Sequence, residues 1–469
     1  MPPESAEFVS EHIKQFPHML HFASMCSGSG MDHEAALSVL RFLKAKGIKT
    51  KFDCVFQCEK DPEKRRWLKA HFNDGDDPCL YTDVRHIVGR ECTGGDCESH
   101  KKPCHVPSAD VLFAGTSCKD FSRFNHSRSA QDRMNLLTNY LQGKVPTAQK
   151  SSSIETFIAA YRHIQVHTPA AVFLENSDGI LDCDKANVAS VRSNVDVVLQ
   201  FLADLGYEAQ SFIVSGDDFG CPQKRKRFWV LAILPDAPFW EGNLDFDKVF
   251  DRMQNRLREM KTKAPKYRDC LLRCEHSYVQ HQLENRIKRK QNRKEPENAM
   301  KWPKAHQDYC SANSMRWPPE EFPSFSSSKW APTLTDRERG VARMLQRKHG
   351  EYTAVDVSQE MGFCRVLTED QHALPTILPG TELFVHLPAQ KKGKKEPSEG
   401  QEGQKKGKKE PSEAPLSRLI TGLELLRIQG FPVGPSDDCL KGDSAFTDDK
   451  LGHAVNKQVD AMHIVQASH

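Results

Sequence analysis

The 469-residue chain has no apolar run approaching the ~20 residues that a membrane-spanning helix needs. Its opening stretch, MPPESAEFVSEH, lacks the apolar core of a secretory signal. Membrane spanning and secretion are therefore set aside, and a soluble intracellular protein is expected. The net charge is only +3, so a nucleic-acid surface would have to come from local clustering rather than from bulk charge. The phosphate-binding P-loop spacing is missing, as is the full dinucleotide-binding fingerprint. Fifteen cysteines are present, but the odd count and irregular spacing do not describe a disulfide framework, and a chain of this size does not need one. Reduced thiols are expected, available for catalysis or for metal binding.

What is present begins with an alternation of strand-like and helix-like patterns over the first 230 or so residues. His18 to Ser24 reads as a buried strand, followed by the turn Cys-Ser-Gly-Ser-Gly-Met-Asp and a helical stripe of Ala35, Ala36, Val39, Leu40 and Leu43. Further strands are read at 52–57, 110–115, 171–175, 212–214 and 228–233, with helical stripes at Ile154, Phe157, Ile158, Tyr161 and Ile164, and at Val191, Val195, Val198, Leu202 and Leu205. Such alternation predicts an α/β fold: an open, mostly parallel sheet with helices on both faces and ligands at the carboxyl ends of the strands.

From about residue 240 the alternation breaks. The stretch to about 390 is charged and aromatic without a steady period, and it carries the basic run NRIKRKQNRK (285–294) with Trp302, Trp317 and Trp330 nearby. KKGKKEPSE occurs at 391–399 and again, identically, at 405–413; so polar a tract cannot bury a core and reads as a solvated linker. Its lysines also fit a nuclear-targeting signal. Periodicity returns in PLSRLITGLELLRIQGFP, a helix closed by Gly430 and Pro432, and in the stripe Leu451, Val455, Val459 and Met462.

Four places carry chemistry. Cys118, in GTSCKDFS, follows a buried strand at its carboxyl end, and the neighbouring Lys119 favours a thiolate there. Glu175 ends the strand AVFLE, where an acid is costly unless it is used or paired. Either residue alone reads as readily as a structural feature; together they place a thiol and a carboxyl at strand tips facing one crevice. Gly28 and Gly30 after the first strand permit close approach of a ligand to the backbone, and Glu59 after the second strand is placed to hold ribose hydroxyls, so an adenosine-type cofactor is expected. ECTGGDCESHKKPCH supplies Cys92, Cys97, Cys104 and His105, the residue types of a zinc site, though not at C-x-x-C spacing; no metal ligand is assigned.

The order of these pieces resembles the cytosine-5 DNA methyltransferases, over Met19 to about Leu234 and again from Leu416 onward. Cys26-Ser-Gly-Ser-Gly30 matches the family's glycine-rich S-adenosylmethionine loop, Glu59 its ribose-binding acid, and Asp83 in TDVRHI its adenine-contacting aspartate. Ser117-Cys118-Lys-Asp-Phe-Ser122 matches the nucleophile motif, Glu175-Asn176-Ser177 the Glu-Asn-Val motif, and Gln223-Lys-Arg225-Lys-Arg227 the Gln-x-Arg-x-Arg motif. Arg418-Leu-Ile-Thr421, Glu424, Arg427 and Gln429-Gly-Phe-Pro432 resemble the late motif, and Leu451-Gly-His-Ala-Val455 the terminal one. The chain departs from the family pattern at Cys26 (an aromatic there), Thr116-Ser117 (Pro-Pro), Lys119 (Gln) and His453 (Asn).

The resemblance implies a methyltransferase-type sheet domain at 19–240 plus 416–469, preceded by an extension at 1–18. A smaller target recognition region at 241–390 and a lysine-rich linker at 391–415 would be inserted into it. It further implies S-adenosylmethionine as cofactor, held by Gly28, Gly30, Glu59, Asp83 and Val455. Cys118, Glu175, Arg225 and Arg227 would act on a cytosine flipped out of double-stranded DNA, beneath a lid formed by 123–152. A nuclear monomer is expected, with a cytoplasmic location if the source is prokaryotic. Two alternatives stand beside this reading: methylation of a tRNA cytosine, whose branch carries a Cys-Phe-Thr signature not found here, and a non-catalytic nucleic-acid-binding homologue.

Overall fold

A computed structural model describes residues 19–28, 30–45, 47, 50–72, 78–89, 97–122, 134–143, 152–182, 193–237, 245–292, 302–320, 325, 328–350, 353–359, 361, 366–367, 373–375, 377, 382–387 and 416–429. The chain divides into two units, the first comprising the described residues to 265 together with Gln429 and the second those over 266–428. The lysine repeat, Cys92, His453 and Val455 lie outside the described residues.

The first unit is built on seven strands. These are β1 (Leu20–Met25), β2 (Phe52–Cys58), β3 (Cys79–Tyr81), β4 (Val111–Gly115), β5 (Ala171–Ser177), β6 (Glu208–Ser215) and, after the two-residue β7 (Gln223–Lys224), β8 (Lys226–Ile233). Their order is β3-β2-β1-β4-β5-β8-β6. The five strands from β3 to β5 are parallel; β8 runs antiparallel to both its neighbours. The chain moves outward from β1 to β3, then returns to place β4 on the other side of β1. That reversal opens a crevice at the carboxyl ends of β1 and β4. The mostly parallel α/β sheet expected from the sequence is thus present.

Burial on both sides explains the continuous apolar run of β8. Phe228, Val230 and Ala232 join a core with Val172 and Leu174 and with helix-borne Ile154, Phe157, Ile164, Val198 and Leu202. The alternate residues Trp229, Leu231 and Ile233 face a second core with Phe246, Phe250, Met253 and Leu257. Those last four lie on a helix, Phe246–Glu259, capped by Asp245, whose side chain accepts the Lys248 N–H. The sheet unit therefore extends past residue 240. The apolar stripe recurs at helical spacing, but Arg252, Arg256 and Arg258 on the other faces hide it from a reading by composition.

The turn after β1 is shaped by close packing. Gly30 adopts a left-handed φ of 76°, and a Cβ there would fall 2.3 Å from the Phe72 ring. The following helix, Met31–Ala45, carries the fully buried Asp32 in its first turn; its Oδ1 accepts the His33 N–H at 3.0 Å. Burial pushes the Asp32 carboxyl up to about 6.

The second unit contains helices Ser277–Asn292, Trp302–Ala312 and Asp336–His349. Its antiparallel sheet takes the order β10 (Val366–Leu367), β9 (Thr353–Asp356), β12 (Leu383–Leu387), β13 (Leu416–Leu419); a further two-residue strand, β11, spans Leu374–Pro375. Thr335 and Glu338 form a capping box at the start of the third helix. Residues 416–428, assigned above to the sheet domain, belong here because β13 completes this sheet through its pairing with β12.

A fully buried ion pair closes this unit. Arg418 Nη1 donates to Glu424 Oε2 at 2.8 Å and Arg418 Nη2 donates to Glu424 Oε1 and, at 2.7 Å, to the Leu272 carbonyl. Glu424 also accepts the N–H groups of Leu272 (2.6 Å) and Thr421 (2.8 Å) and the Thr421 hydroxyl (2.8 Å). With both side chains fully enclosed, the pair is stable only because so many of its polar atoms are matched.

The basic run and the tryptophans are partly consumed by folding. Arg286 makes a two-point ion pair with Glu382 (2.9 and 3.1 Å), and Lys290 Nζ donates to the Leu334 carbonyl at 3.1 Å. Trp330 is buried, and Trp302 and Trp317 pack edge-to-face with His306. Lys288 and Arg289 remain exposed.

Two outcomes are expected. Glu424→Gln leaves the Arg418 charge enclosed without its counter-ion and destabilises the second unit by about 3–5 kcal/mol; chemical denaturation showing a loss below about 1 kcal/mol would contradict a structural role. Asp32→Asn removes a carboxyl whose folded-state pKa lies above its unfolded value. The wild type loses stability as pH rises through about 6, so the Asn variant's advantage grows from pH 5 to pH 8, to the order of 2–3 kcal/mol. An advantage that does not change between those pH values would refute the assignment.

Candidate active site

The crevice beside β1 gathers most of the expected residues. β4 ends at Gly115, and the chain continues through Thr116 and Ser117 to the half-buried Cys118. In the parallel pairing of β4 with β5, Gly115 lies opposite Glu175. A methyl group at Gly115 would touch Glu175 Oε2 at 3.5 Å and the Cys26 carbonyl at 3.7 Å. Three strand tips, those of β1, β4 and β5, therefore converge on one point.

The segment carrying Cys118 is held by hydrogen bonds at each step. Asn176 Nδ2 donates to Thr116 Oγ1 at 2.9 Å, and Ser177 N donates to Asn176 Oδ1 at 2.8 Å, which orients the amide. Ser117 N donates to Thr156 Oγ1 at 2.9 Å, and the Ser117 and Ser152 hydroxyls lie 3.1 Å apart. Asp120 and Ser153 bond reciprocally: Asp120 N to Ser153 Oγ at 3.0 Å and Ser153 N to Asp120 Oδ2 at 3.1 Å. Ser152, Ser153 and Thr156 begin the helix Ser152–His167, so its first turn is the seat of the cysteine segment. Sequence reasoning gives Ser153 and Thr156 no role and places Ser152 only at the end of the lid segment. The signal was the hydroxyl-rich start SSSIET, read only as the lead into a helical stripe.

A basic segment leads into β8, the strand that pairs with β5. Gln223, Arg225 and Arg227 are buried while Lys224 and Lys226 are exposed, the period-two alternation of an extended chain. Arg227 Nε lies 2.8 Å from Glu175 Oε1, because Ser177 of β5 faces Arg227 of β8 in the antiparallel register. Gln223 is fully buried, and neither atom of its amide has a partner among the described residues. A buried amide in that state is costly, and it is the kind of group a bound ligand satisfies.

On the other side of β1, two acids mark the ends of β2 and β3. Gly28, with φ 58°, donates its N–H to Glu59 Oε2 at 2.8 Å, and Asp61 N donates to Oε1 at 2.9 Å. Lys64 Nζ lies 3.9 Å from the same carboxylate. Glu59 N donates to the Tyr81 carbonyl at 3.0 Å, which joins the ends of the two strands. Asp83 accepts Arg85 N and Nε on Oδ1 (both 2.9 Å) and Arg85 Nη2 on Oδ2 (2.6 Å). Burial works to raise its pKa, but the Arg85 donors and the charges of Arg85 and Lys60 bring it down to about 2. Gly28, Gly30, Glu59 and Asp83 thus share the carboxyl edge of the sheet with Cys118 and Glu175.

Other expectations meet the structure only in part. Of the segment read as a lid, 123–133 and 144–151 lie outside the described residues. Between them Leu136–Leu141 is helical, with Leu136 and Leu137 buried and Leu137 N donating to Asn194 Oδ1 at 3.0 Å. Of the cysteine-rich segment, Cys97 and Cys104 come together, but with Cys79 and His100; His105 is exposed and outside the group. No helix among the described residues is long and apolar enough to cross a membrane.

Comparison with known proteins follows the same lines. The chain is 26% identical over 215 residues to a DNA (cytosine-5-)-methyltransferase of Cryptococcus neoformans var. grubii, covering 45% of this chain and 8% of that protein. It is 24% identical over 218 residues to the type II methyltransferase M.HpaII of Haemophilus parainfluenzae, covering 46% and 49%. The match thus spans less than half the length of either relative. Among solved structures, a putative DNA modification methyltransferase encoded within an E. coli prophage aligns over 96% of this chain and 98% of its own, with 13% identity and a TM-score of 0.46. The model of the C-5 cytosine-specific DNA methylases matches residues 40–457, most of the length, and the chain belongs to that family.

Proposed function

We propose that the protein transfers a methyl group from S-adenosylmethionine to carbon 5 of cytosine in DNA. The observation that carries this reading is that β4, which ends three residues before Cys118, sets its tip against Glu175, itself ion-paired with Arg227, in a chain of this family. The Glu59 and Asp83 carboxylates and the left-handed turn at Gly28 and Gly30 fit the cofactor, offering acceptors for ribose hydroxyls and an adenine amine beside closely approachable backbone. The cofactor supplies an electrophilic methyl group. Val455, in the terminal family motif, completes the set assigned to it.

The chain's own residues prepare the base. Carbon 5 of cytosine is a poor nucleophile. A new bond from the Cys118 thiolate sulfur to carbon 6, with Glu175 delivering a proton to ring nitrogen 3, makes carbon 5 enamine-like and able to take the methyl group. Arg225 or Arg227 holds the base carbonyl oxygen. Loss of the carbon-5 proton to a base, with return of the ring-nitrogen-3 proton to Glu175, then expels the thiolate, restoring Cys118, Glu175 and the aromatic ring. In a duplex the pairing edge is hidden, so the base must leave the stack, at a cost of a few kcal/mol offset by pocket contacts. The exposed basic residues of the second unit, Lys288 and Arg289 among them, supply phosphate contacts.

Thr116 and Ser117 stand where the family has two prolines. The bonds from Asn176 and to Thr156 support a rigid cysteine segment without the ring constraint.

The test is transfer of labelled methyl from S-adenosylmethionine to duplex DNA and to tRNA. Wild type is expected to label DNA. Cys118→Ser should lower the rate by at least about 10³-fold and Glu175→Gln by about 10²–10⁴-fold, with cofactor binding retained. Label in tRNA alone would replace the DNA reading with the RNA one. No label in either, together with no adduct on a mechanism-based cytosine analogue, would leave a binding homologue. Thr116→Val removes the acceptor for Asn176 and is expected to lower kcat about tenfold at unchanged cofactor affinity, with Thr116→Ser close to wild type. A Val variant with normal kcat would show that the hydroxyl does not hold the segment.

A further inference from the structure

Away from the crevice, on the outer edge of the sheet, four ligand-type side chains point at one another. Cys79 lies on β3; Cys97, His100 and Cys104 lie in the segment leading back toward β4. Their ligand atoms all fall within 4.8 Å of one another. His100 Nδ1 is 3.6 Å from Cys79 Sγ, 3.4 Å from Cys97 Sγ and 3.3 Å from Cys104 Sγ.

Hydrogen bonding does not account for this. An imidazole nitrogen carries either one proton or one in-plane lone pair, so it cannot bond three sulfurs arranged around it. A disulfide does not account for it either, since all three cysteines are free thiols. A tetrahedral metal does. With Zn–S of about 2.3 Å and Zn–N of about 2.0–2.1 Å, the S···N edge of a tetrahedron is about 3.6 Å, close to the three separations observed.

The surrounding backbone holds the ligands in place. Cys97 N donates to the Lys102 carbonyl at 2.9 Å and Lys101 N to the Cys97 carbonyl at 2.6 Å, closing a tight turn with Lys101 at φ 54°. The turn is fastened to β3 by Glu98 N on the Leu80 carbonyl (2.8 Å) and by Ser99 Oγ on the Pro78 carbonyl (2.9 Å). Glu98 also ion-pairs with Arg65 and Lys69 of the helix Pro62–His71. Tyr81 Oη, at the end of β3, donates to the His105 carbonyl at 3.1 Å.

We propose that Cys79, Cys97, His100 and Cys104 bind a structural zinc ion. Three thiolates and one imidazole are soft ligands that select zinc over magnesium or calcium, and four protein ligands leave no position for substrate. Binding displaces the three thiol protons to solvent. The ion ties the long β3-to-β4 connection to β3 at Cys79, four residues before Asp83. The proposal stands independently of the methyl-transfer reading, because no ligand takes part in that chemistry.

The experiment is metal analysis of the full-length protein expressed with zinc in the medium. About one zinc per chain is expected, retained in Cys118→Ser and lost in Cys97→Ser and in His100→Ala. Because those two variants could fail to fold, the wild type is also alkylated with and without a chelator and mapped by mass spectrometry. The half-buried Cys104 is the reporter: it should be protected in the metal-bound protein and modified at least ten times faster after chelation. Cobalt exchanged into the wild type should show thiolate-to-metal charge transfer with tetrahedral ligand-field bands. Zinc-free wild type, undiminished zinc in both ligand variants, or alkylation of Cys104 unaffected by chelation would each overturn the proposal.

Discussion

The pairing of β4 between β1 and β5 is the constraint from which the rest of the first unit follows. Parallel register sets Gly115 against Glu175, and the reversal of strand order at β1 opens a crevice above it. A methyl group at position 115 would sit in ordinary van der Waals contact with both the Glu175 carboxylate and the Cys26 carbonyl, which shows how near the three strand tips lie to one another. Both faces of the sheet must be buried for this to hold, and β8 meets that demand with a different apolar set on each side.

Around that point, charge is distributed by register rather than by proximity in sequence. Glu175 and Arg227 are 52 positions apart in the numbering yet 2.8 Å apart in space, because β5 and β8 run antiparallel. The Thr116–Asn176 bond spans the same two strand tips as Gly115 and Glu175. Departures from the family pattern at Thr116 and Ser117 thus coincide with side chains whose hydroxyl and N–H groups are engaged, so a segment that lacks proline is still held from both sides. In the second unit, the same logic places a buried and heavily hydrogen-bonded ion pair, Arg418–Glu424, where an apolar core would otherwise close the fold.

The polar features of the chain divide between reactive and structural roles, and composition does not separate them. Arg286 and Lys290 belong to a run that reads as a nucleic-acid surface, yet they bind Glu382 and the Leu334 carbonyl. Trp330, in the same charged and aromatic stretch, is core. Clustered charge and aromatic content measure what a segment could contact; burial and partners determine what it does contact.

Much of the site was legible in one dimension because it is made of strand ends. Apolar runs closed by Gly28, Glu59, Cys118 and Glu175 announce both the strand and the edge at which its tip is exposed, so the α/β class and the residues of the carboxyl edge follow from local pattern. Helix 246–259 escaped notice because its stripe is interrupted by charge on the remaining faces, although every fourth or third position is apolar. The cysteine cluster was half visible: Cys97 and Cys104 are near neighbours in the chain, but Cys79 joins them only because β3 pairs with β2 and the 97–102 turn folds back onto it. Residue type and local period determined the class of fold and the inventory of reactive groups. Strand order, register and the crossings between strands decided which of those groups meet, since contacts between residues dozens of positions apart are set by pairing and packing that no local window contains.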